Sequence, residues 1–317
     1  MSTFDLITTG RVGVDLYPQQ SGVPLREVTE FARFLGGSAT NVAVQAARLG
    51  SRSAIVTKVG NDQFGEYVRA ALDEFGVERR WVGTDRKLRT PIVFCELFPP
   101  DDFPLLFYRE PSAPDIQLEP SDFDLAAIRA AKVFWTTGTG LSDEPSRSTL
   151  LDVLADRSDS ATDPITIHDL DHRPMFWSES DDPGAFARQA LEHATVAVGN
   201  QEEVEVAVGT RDPEQAAERL LDLGLKLAIV KKGPQGVYAR STSEEIELPP
   251  ILLDVVNGLG AGDAFGGTLA HGLSRGWPLE QTLRSANAAG ALAASRLACA
   301  NDFPTEQEIL ETLQSSA

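Results

Sequence analysis

The sequence predicts an α/β fold, a three-layer α/β/α sandwich with a mostly parallel central sheet and a small separate β sheet serving as a lid. Three observations predict it. Short apolar runs ending in glycine or polar residues alternate with helical patterns, the rhythm of βαβ units. Two stretches rich in β-formers, Pro and Gly, at about 12–34 and 88–116, break that rhythm without any helical period. After Asn257 the chain reads as strongly helical. No linker, repeat or low-complexity segment divides residues 1–317, so a single domain is expected.

The elements follow in order. "FDLITTG" (4–10) reads as a buried strand closed by a glycine turn. "SATNVAVQAARLG" (38–50) reads as a helix, with Ser38 as N-cap and Gly50 as stop. "SAIVTKVG" (53–60) is a strand, and "DQFGEYVRAALDEFG" (62–76) is an amphipathic helix. Further strands are expected at "AKVFWTTG" (131–138), "PITIHDLD" (164–171), "TVAVGN" (195–200) and "LAIVKKG" (227–233). In such sheets ligands bind at the carboxyl ends of the strands. Those ends carry Gly10, Asp169, Asp171, Asn200 and Lys231 to Gly233. Over such a site, the two interrupting stretches would form the lid. Two helices close the chain, and the small residues of "SANAAGA" (285–291) predict close packing.

Composition narrows the function. The net charge of −19 is scattered along the chain, with no basic cluster. That argues against nucleic acid and anionic membranes as partners. The cysteines, Cys95 and Cys299, stand in no metal or redox spacing. His168 and His172 are four apart, but on a strand end that spacing does not converge on a metal. The first residues lack the basic region of a signal peptide, and no run of about 20 apolar residues spans a membrane. A soluble cytoplasmic protein is expected.

The chemistry concentrates in "VVNGLGAGDAFGG" (255–267), where five glycines surround Asp263 at the start of a helix. Amides before a helix point at one spot, and the helix dipole adds to their field, so anions and above all phosphates bind there. A carboxylate beside an anion site is costly unless it has a task. The task that fits Asp263 is general base, taking a proton from a hydroxyl that attacks the held phosphate. The stretch is not a Walker loop, because Asp263 follows Gly262 where that motif needs Lys-Ser/Thr. It lies too late in the chain to be a dinucleotide fingerprint.

"NGLGAGDAF" resembles the C-terminal signature of the ribokinase-like (PfkB) carbohydrate kinases. "FLGGSATNVAVQAARLG" followed by "VGNDQFGEYV" is similar to that family's first signature, "VGNQEE" to its N-x-x-E motif, and "VKKGPQGVY" to its nucleotide-binding strand and turn. Four ordered motifs span nearly the whole chain. The resemblance implies a ribokinase-like fold, ATP and Mg2+ as cofactors, and phosphoryl transfer to a sugar. It assigns the base role to Asp263 and the anion hole to the amides of Gly260, Ala261 and Gly262. Asp15 would grip sugar hydroxyls, Gly36 and Gly37 would let the backbone approach the sugar, and Asn41 would reach back to it. Asn200, Lys231, Gly233 and Gly236 would lie near the nucleotide, with Lys232 beside them and Asn287 at the adenine. Glu203 would act on Mg2+ through water.

Asn257 and Gly258 replace the usual Asp-Thr, which removes a carboxylate from the place where many members hold a monovalent cation such as K+. Arg109, in the lid stretch, and Arg173, after a strand end, bear on the substrate. A guanidinium suits a carboxylate or phosphate bidentately, and a neutral sugar needs neither. The finer pattern in "GRVGVDLYPQQ", "FPLLFYREPSAPD" and "DLDHRPMFW" is similar to that of family members acting on sugar acids. Members acting on fructose, ribose or a nucleoside are the alternatives. A non-catalytic sugar-acid or nucleotide sensor on the same fold would bind without turnover, and would have no use for a base at an anion hole. Because the family often pairs through its lids, a homodimer is expected.

Overall fold

A computed structural model describes residues 3–159 and 164–315. The chain opens with β1 (Leu6–Thr9), which lies inside the main sheet, and then leaves it for β2 (Gly13–Pro18) and β3 (Phe31–Gly36). It returns through α1 (Ser38–Arg48), β4 (Ser53–Gly60), α2 (Gln63–Glu74) and β5 (Val82–Asp85). A second excursion gives β6 (Ile92–Cys95) and β7 (Leu105–Tyr108). Then come α3 (Leu125–Ala130), β8 (Val133–Thr137), α4 (Ser146–Ser158), β9 (Ile165–Asp169), α5 (Pro183–Leu191) and β10 (Val196–Asn200). After these follow α6 (Gln201–Val208), α7 (Pro213–Asp222), β11 (Leu227–Lys231), β12 (Val237–Ser241) and β13 (Glu245–Leu248). Three helices finish the described chain, α8 (Ala261–Arg275), α9 (Leu279–Ala294) and α10 (Glu306–Ser315).

The main sheet runs β13-β12-β11-β10-β9-β8-β1-β4-β5. Every pairing from β11 to β5 is parallel, and only β12 and β13 join antiparallel at one edge. The interrupting stretches supply a second sheet, ordered β3-β2-β6-β7.

The period of two along each strand sorts side chains between two helix layers. Leu6, Val133, Trp135, Val198 and Ile229 face one layer, with Val42 of α1, Leu269 of α8 and Leu283 of α9. Ile7 and Phe134 face the other, with Ile128, Leu150 and Leu154. Ala197, Ala228 and Val230 face that second layer through α6 and α7. Both faces are covered, which is why these strands read as unbroken apolar runs. Burying each large side chain contributes roughly 1.5–3 kcal/mol. Trp135, wholly buried, also explains one glycine: a Cβ at Gly266 of α8 would come within 2.6 Å of its ring.

This topology places the site. From β1 the chain builds outward to β4 and β5, then turns back through β8 to the other edge. The reversal falls between β1 and β8, and the crevice beyond their carboxyl ends is the ligand position in a doubly wound sheet.

Candidate active site

A cavity of about 430 Å3 opens there, a volume suited to small-molecule ligands. The β1 end gives it Arg11, and the lid sheet covers it with Asp15, Tyr17, Val93, Leu105 and Phe107. The first turns of α1 and α8 contribute Ser38, Asn41 and Asp263. The ends of β9, β10 and β11 contribute Asp169, Asn200 and Lys231.

Asp263 sits in the first turn of α8, behind Gly260 in the left-handed conformation at φ 78°. Its Oδ1 accepts from Ser38 Oγ at 2.7 Å, and its Oδ2 accepts from Asn41 Nδ2 at 2.8 Å. Burial pushes its pKa up, Asn41 and Ser38 pull it down, Asp171 adds repulsion and Arg11 attraction, and the balance is upward. The result is a carboxylate fixed at both oxygens with a basicity above the ordinary range, the property a general base needs. Lys231 Nζ lies beside Gly262 of the same turn. Burial disfavours its ammonium, but Asp169, Glu203 and Asp263 more than offset this and raise its pKa.

On the lid side, Asp15 is buried, and its carboxyl is pushed up to about 6 by burial, against the pull of Tyr17 and Arg11. Tyr17 Oη donates to Asp15 Oδ2 at 2.9 Å and meets Cys299 Sγ at 2.8 Å. Gly36 leaves the room that Asp15 occupies, since a Cβ there would stand 2.0 Å from Asp15 Oδ1. Arg109 Nη2 pairs with Asp115 at 2.8 Å, and Arg173 Nε lies 3.3 Å from Asp171. Both arginines line the cavity.

On the sheet side, burial drives Asp169 upward, with Lys231 opposing and Glu203 reinforcing the shift. Asn200 and Glu203 form a capping box. Asn200 Oδ1 accepts from the amides of Glu202 and Glu203, and Glu203 Oε2 accepts from the amide of Asn200. This pair therefore starts α6 as well as lining the cavity. Gly233 and Gly37 also line it, whereas Gly36, Gly236, Ala261 and Asn287 are not among its lining residues. Asn287 Nδ2 donates to the Pro249 carbonyl at 2.9 Å, and Lys232 pairs with Glu247. His168 is buried against Thr136, while His172 lies beside Trp177.

One expectation needs correction. Ser38 is not the cap of α1. Gly37 holds the cap position, and Ser38 spends its hydroxyl on Asp263. A local reading finds serine before an apolar helix and assigns the cap, because the partner is 225 residues away. The sequence reading also missed Arg11. Its Nε donates to Thr139 Oγ1 at 3.0 Å and its Nη2 to Asp171 at 3.0 and 3.2 Å. The available signal was its position just past Gly10 at a strand end. Asp171 is held down strongly by Arg11 and then Arg173, which overcome its burial.

The model of the pfkB family carbohydrate kinases matches residues 4–306. A 5-dehydro-2-deoxygluconokinase of Photobacterium profundum is 32% identical over 319 residues, covering 98% of this chain and 95% of that one. A 5-dehydro-2-deoxygluconokinase of Geobacillus thermodenitrificans is 30% identical over 316 residues, covering 98% and 93%. A putative ribokinase II from E. coli, solved in complex with ATP and Mg2+, superposes with a TM-score of 0.87 at 23% identity, covering 99% of this chain and 100% of that one. The three-layer sandwich with its small lid is thus the ribokinase-like fold. The chain belongs to the pfkB family of carbohydrate kinases, phosphotransferases with an alcohol group as acceptor.

Proposed function

We propose that this chain phosphorylates the terminal (6-) hydroxyl of 5-dehydro-2-deoxy-D-gluconate, a step of myo-inositol catabolism, with ATP as donor and Asp263 as general base. The observation that carries the reading is Asp263 itself, a buried carboxylate pinned by Ser38 and Asn41 beside the amides of a glycine turn and the Lys231 ammonium. The substrate follows from the names of the relatives and from Arg109 and Arg173 in the cavity wall.

Asp263 takes the proton of the acceptor hydroxyl. The freed oxygen forms a bond to the γ-phosphorus as the bond to the β–γ bridging oxygen breaks, and ADP leaves. Charge grows on the transferred oxygens, and the amides around Gly260, Ala261 and Gly262, with Lys231, are preset to receive it. Asp15 binds sugar hydroxyls, and Asn41 orients the base. Asn200, Lys231 and Gly233 border the phosphates, while Asn287 and Gly236 lie towards the adenine end. Glu203 fits a water-mediated Mg2+ contact, because Oε2 caps α6 and Oε1 has no hydrogen-bond partner among the described residues. Magnesium supplies neutralisation of phosphate charge when bound.

Asn257 fits no cation carboxylate role. It is wholly buried, its Nδ2 donates to the Leu297 carbonyl at 2.8 Å, and its Oδ1 accepts from the Leu259 amide at 3.0 Å. K+ activation is therefore not part of this proposal. Two copies pairing through the lid is part of it, because Phe31, Leu106 and Tyr108 are exposed on the lid and Phe94 stacks edge-on with Phe31 and Tyr108.

The test is ADP release from MgATP with 5-dehydro-2-deoxygluconate, 2-keto-3-deoxygluconate, fructose and ribose. The first should be preferred. Asp263→Asn should lower kcat by roughly 10²–10⁴-fold with ATP binding unchanged, the range for loss of a general base. Substantial residual turnover would remove Asp263 from the base role. ATP binding without turnover on any sugar by the unmodified chain would favour a sensor.

A further inference from the structure

We propose that Arg11 is a specificity-determining residue that binds the substrate's carboxylate, and that Asp171 is the strut holding it in place. This rests on the sugar-acid reading and adds to it a residue on a different element from Arg109 and Arg173. The argument begins with fixation. Arg11 lines the cavity with its side chain 11% exposed. Nε is engaged by Thr139, Nη2 by both oxygens of Asp171, and the backbone carbonyl by Thr40 Oγ1 at 2.9 Å. Nη1 has no hydrogen-bond partner among the described residues, so its N–H groups, on a guanidinium fixed at its other two nitrogens, remain for an anion. Arg173, by contrast, is 40% exposed and keeps one ion pair.

Arg11 is also the centre of a linked group of guanidiniums. Asp171 touches Arg11 and Arg173, and Asp115 touches Arg109. The guanidinium carbons of Arg11 and Arg109 lie 5.7 and 4.5 Å from the centre of the same Phe176 ring. Three guanidiniums thus gather around two carboxylates, and Asp263 and Asp15 also attract Arg11. A carboxylate accepts charge-assisted hydrogen bonds from guanidinium N–H groups, which are shorter and stronger than those a neutral hydroxyl accepts. Asp171 is also the one non-glycine residue with positive φ, at 23°, among the described residues. Backbone in that region is held only where the surroundings impose it, and such residues cluster at functional sites.

The experiment separates substrate binding from mere neutralisation of Asp171. Arg11→Met, Asp171→Asn and the double variant are compared for melting temperature, for the KM towards ATP, and for KM and turnover on two acceptors, the acid 5-dehydro-2-deoxygluconate and its methyl ester. The double variant removes the buried Arg11–Asp171 pair together, so neither of those two ions is left buried without the other, and it leaves the 40% exposed Arg173 without its ion pair. If Arg11 binds the acid, the double variant melts near the original temperature and its KM for the acid rises roughly 30-fold, the scale of one lost charged hydrogen bond. Its KM values for ATP and for the ester stay unchanged. A double variant that regains the original KM for the acid overturns the proposal, because Arg11 then only serves Asp171. If the double variant melts far lower, Arg11→Lys decides. That variant keeps the charge and loses the fork, so an unchanged KM for the acid overturns the proposal and a rise of about fivefold or more supports it. Failure of the unmodified chain to use the acid at all removes the sugar-acid reading and this inference together. Use of the acid with no effect in the double variant removes Arg11 alone.

Discussion

Ser38→Ala should move the acid limb of the pH–rate profile. As the proposed base, Asp263 must be deprotonated to accept a proton, so kcat/KM should fall as pH drops through its pKa. Burial already raises that pKa, and the bonds from Asn41 and Ser38 oppose the rise. The Ser38 bond is short, 2.7 Å, and made to a carboxylate. A hydrogen bond to a charged group contributes about 1.5–3 kcal/mol. With about 1.36 kcal/mol for each unit of pKa, its loss should lift the limb by about 1–2 units. Ser38 faces the cavity, so water can replace part of the bond, and the lower end of that range is expected. Below the shifted limb the variant should be about tenfold slower at each pH for a one-unit shift, and well above it the rate should return. The assay is kcat/KM from ADP release between about pH 5 and 9 for the parent and the variant. Asn41→Ala should act in the same direction, and the pair should be non-additive because both bonds end on one carboxylate. A limb that stays in place while the rate falls equally at every pH would refute the reasoning. Ser38 would then aim Asp263 without tuning it.

Replacing K+ with Na+ or tetramethylammonium at constant ionic strength should leave kcat within about twofold, because the amide of Asn257 is uncharged and satisfied at both ends. A strong K+ dependence in initial rates would show that another group holds a cation. Sedimentation velocity should find a dimer that Leu106→Lys with Tyr108→Lys converts to monomer. A monomeric parent would show that the exposed lid residues serve no pairing of this chain.

The layered fold was legible because it rests on periodicity. Strands buried on both faces read as apolar runs, and the helices between them read as amphipathic, whatever lies elsewhere in the chain. The glycine turn with Asp263 was legible for the same reason: its geometry is set by residues adjacent in sequence. The reading failed where chemistry depends on distant partners. Ser38 looked like a helix cap and is a partner of Asp263. Asn200 and Glu203 looked like ligand residues and also close a local capping box. Arg11 drew no notice because its meaning lies in Asp171, 160 residues further on.

The sequence alone determined the α/β class, the lid stretches, the acidic composition and the carboxylate beside the glycine turn, since each is written in local pattern or composition. Only the tertiary structure decided which side chains meet. The parallel sheet brings strand ends from remote parts of the chain to one crevice, and there the electrostatics of each group is set by neighbours that no sequence spacing records.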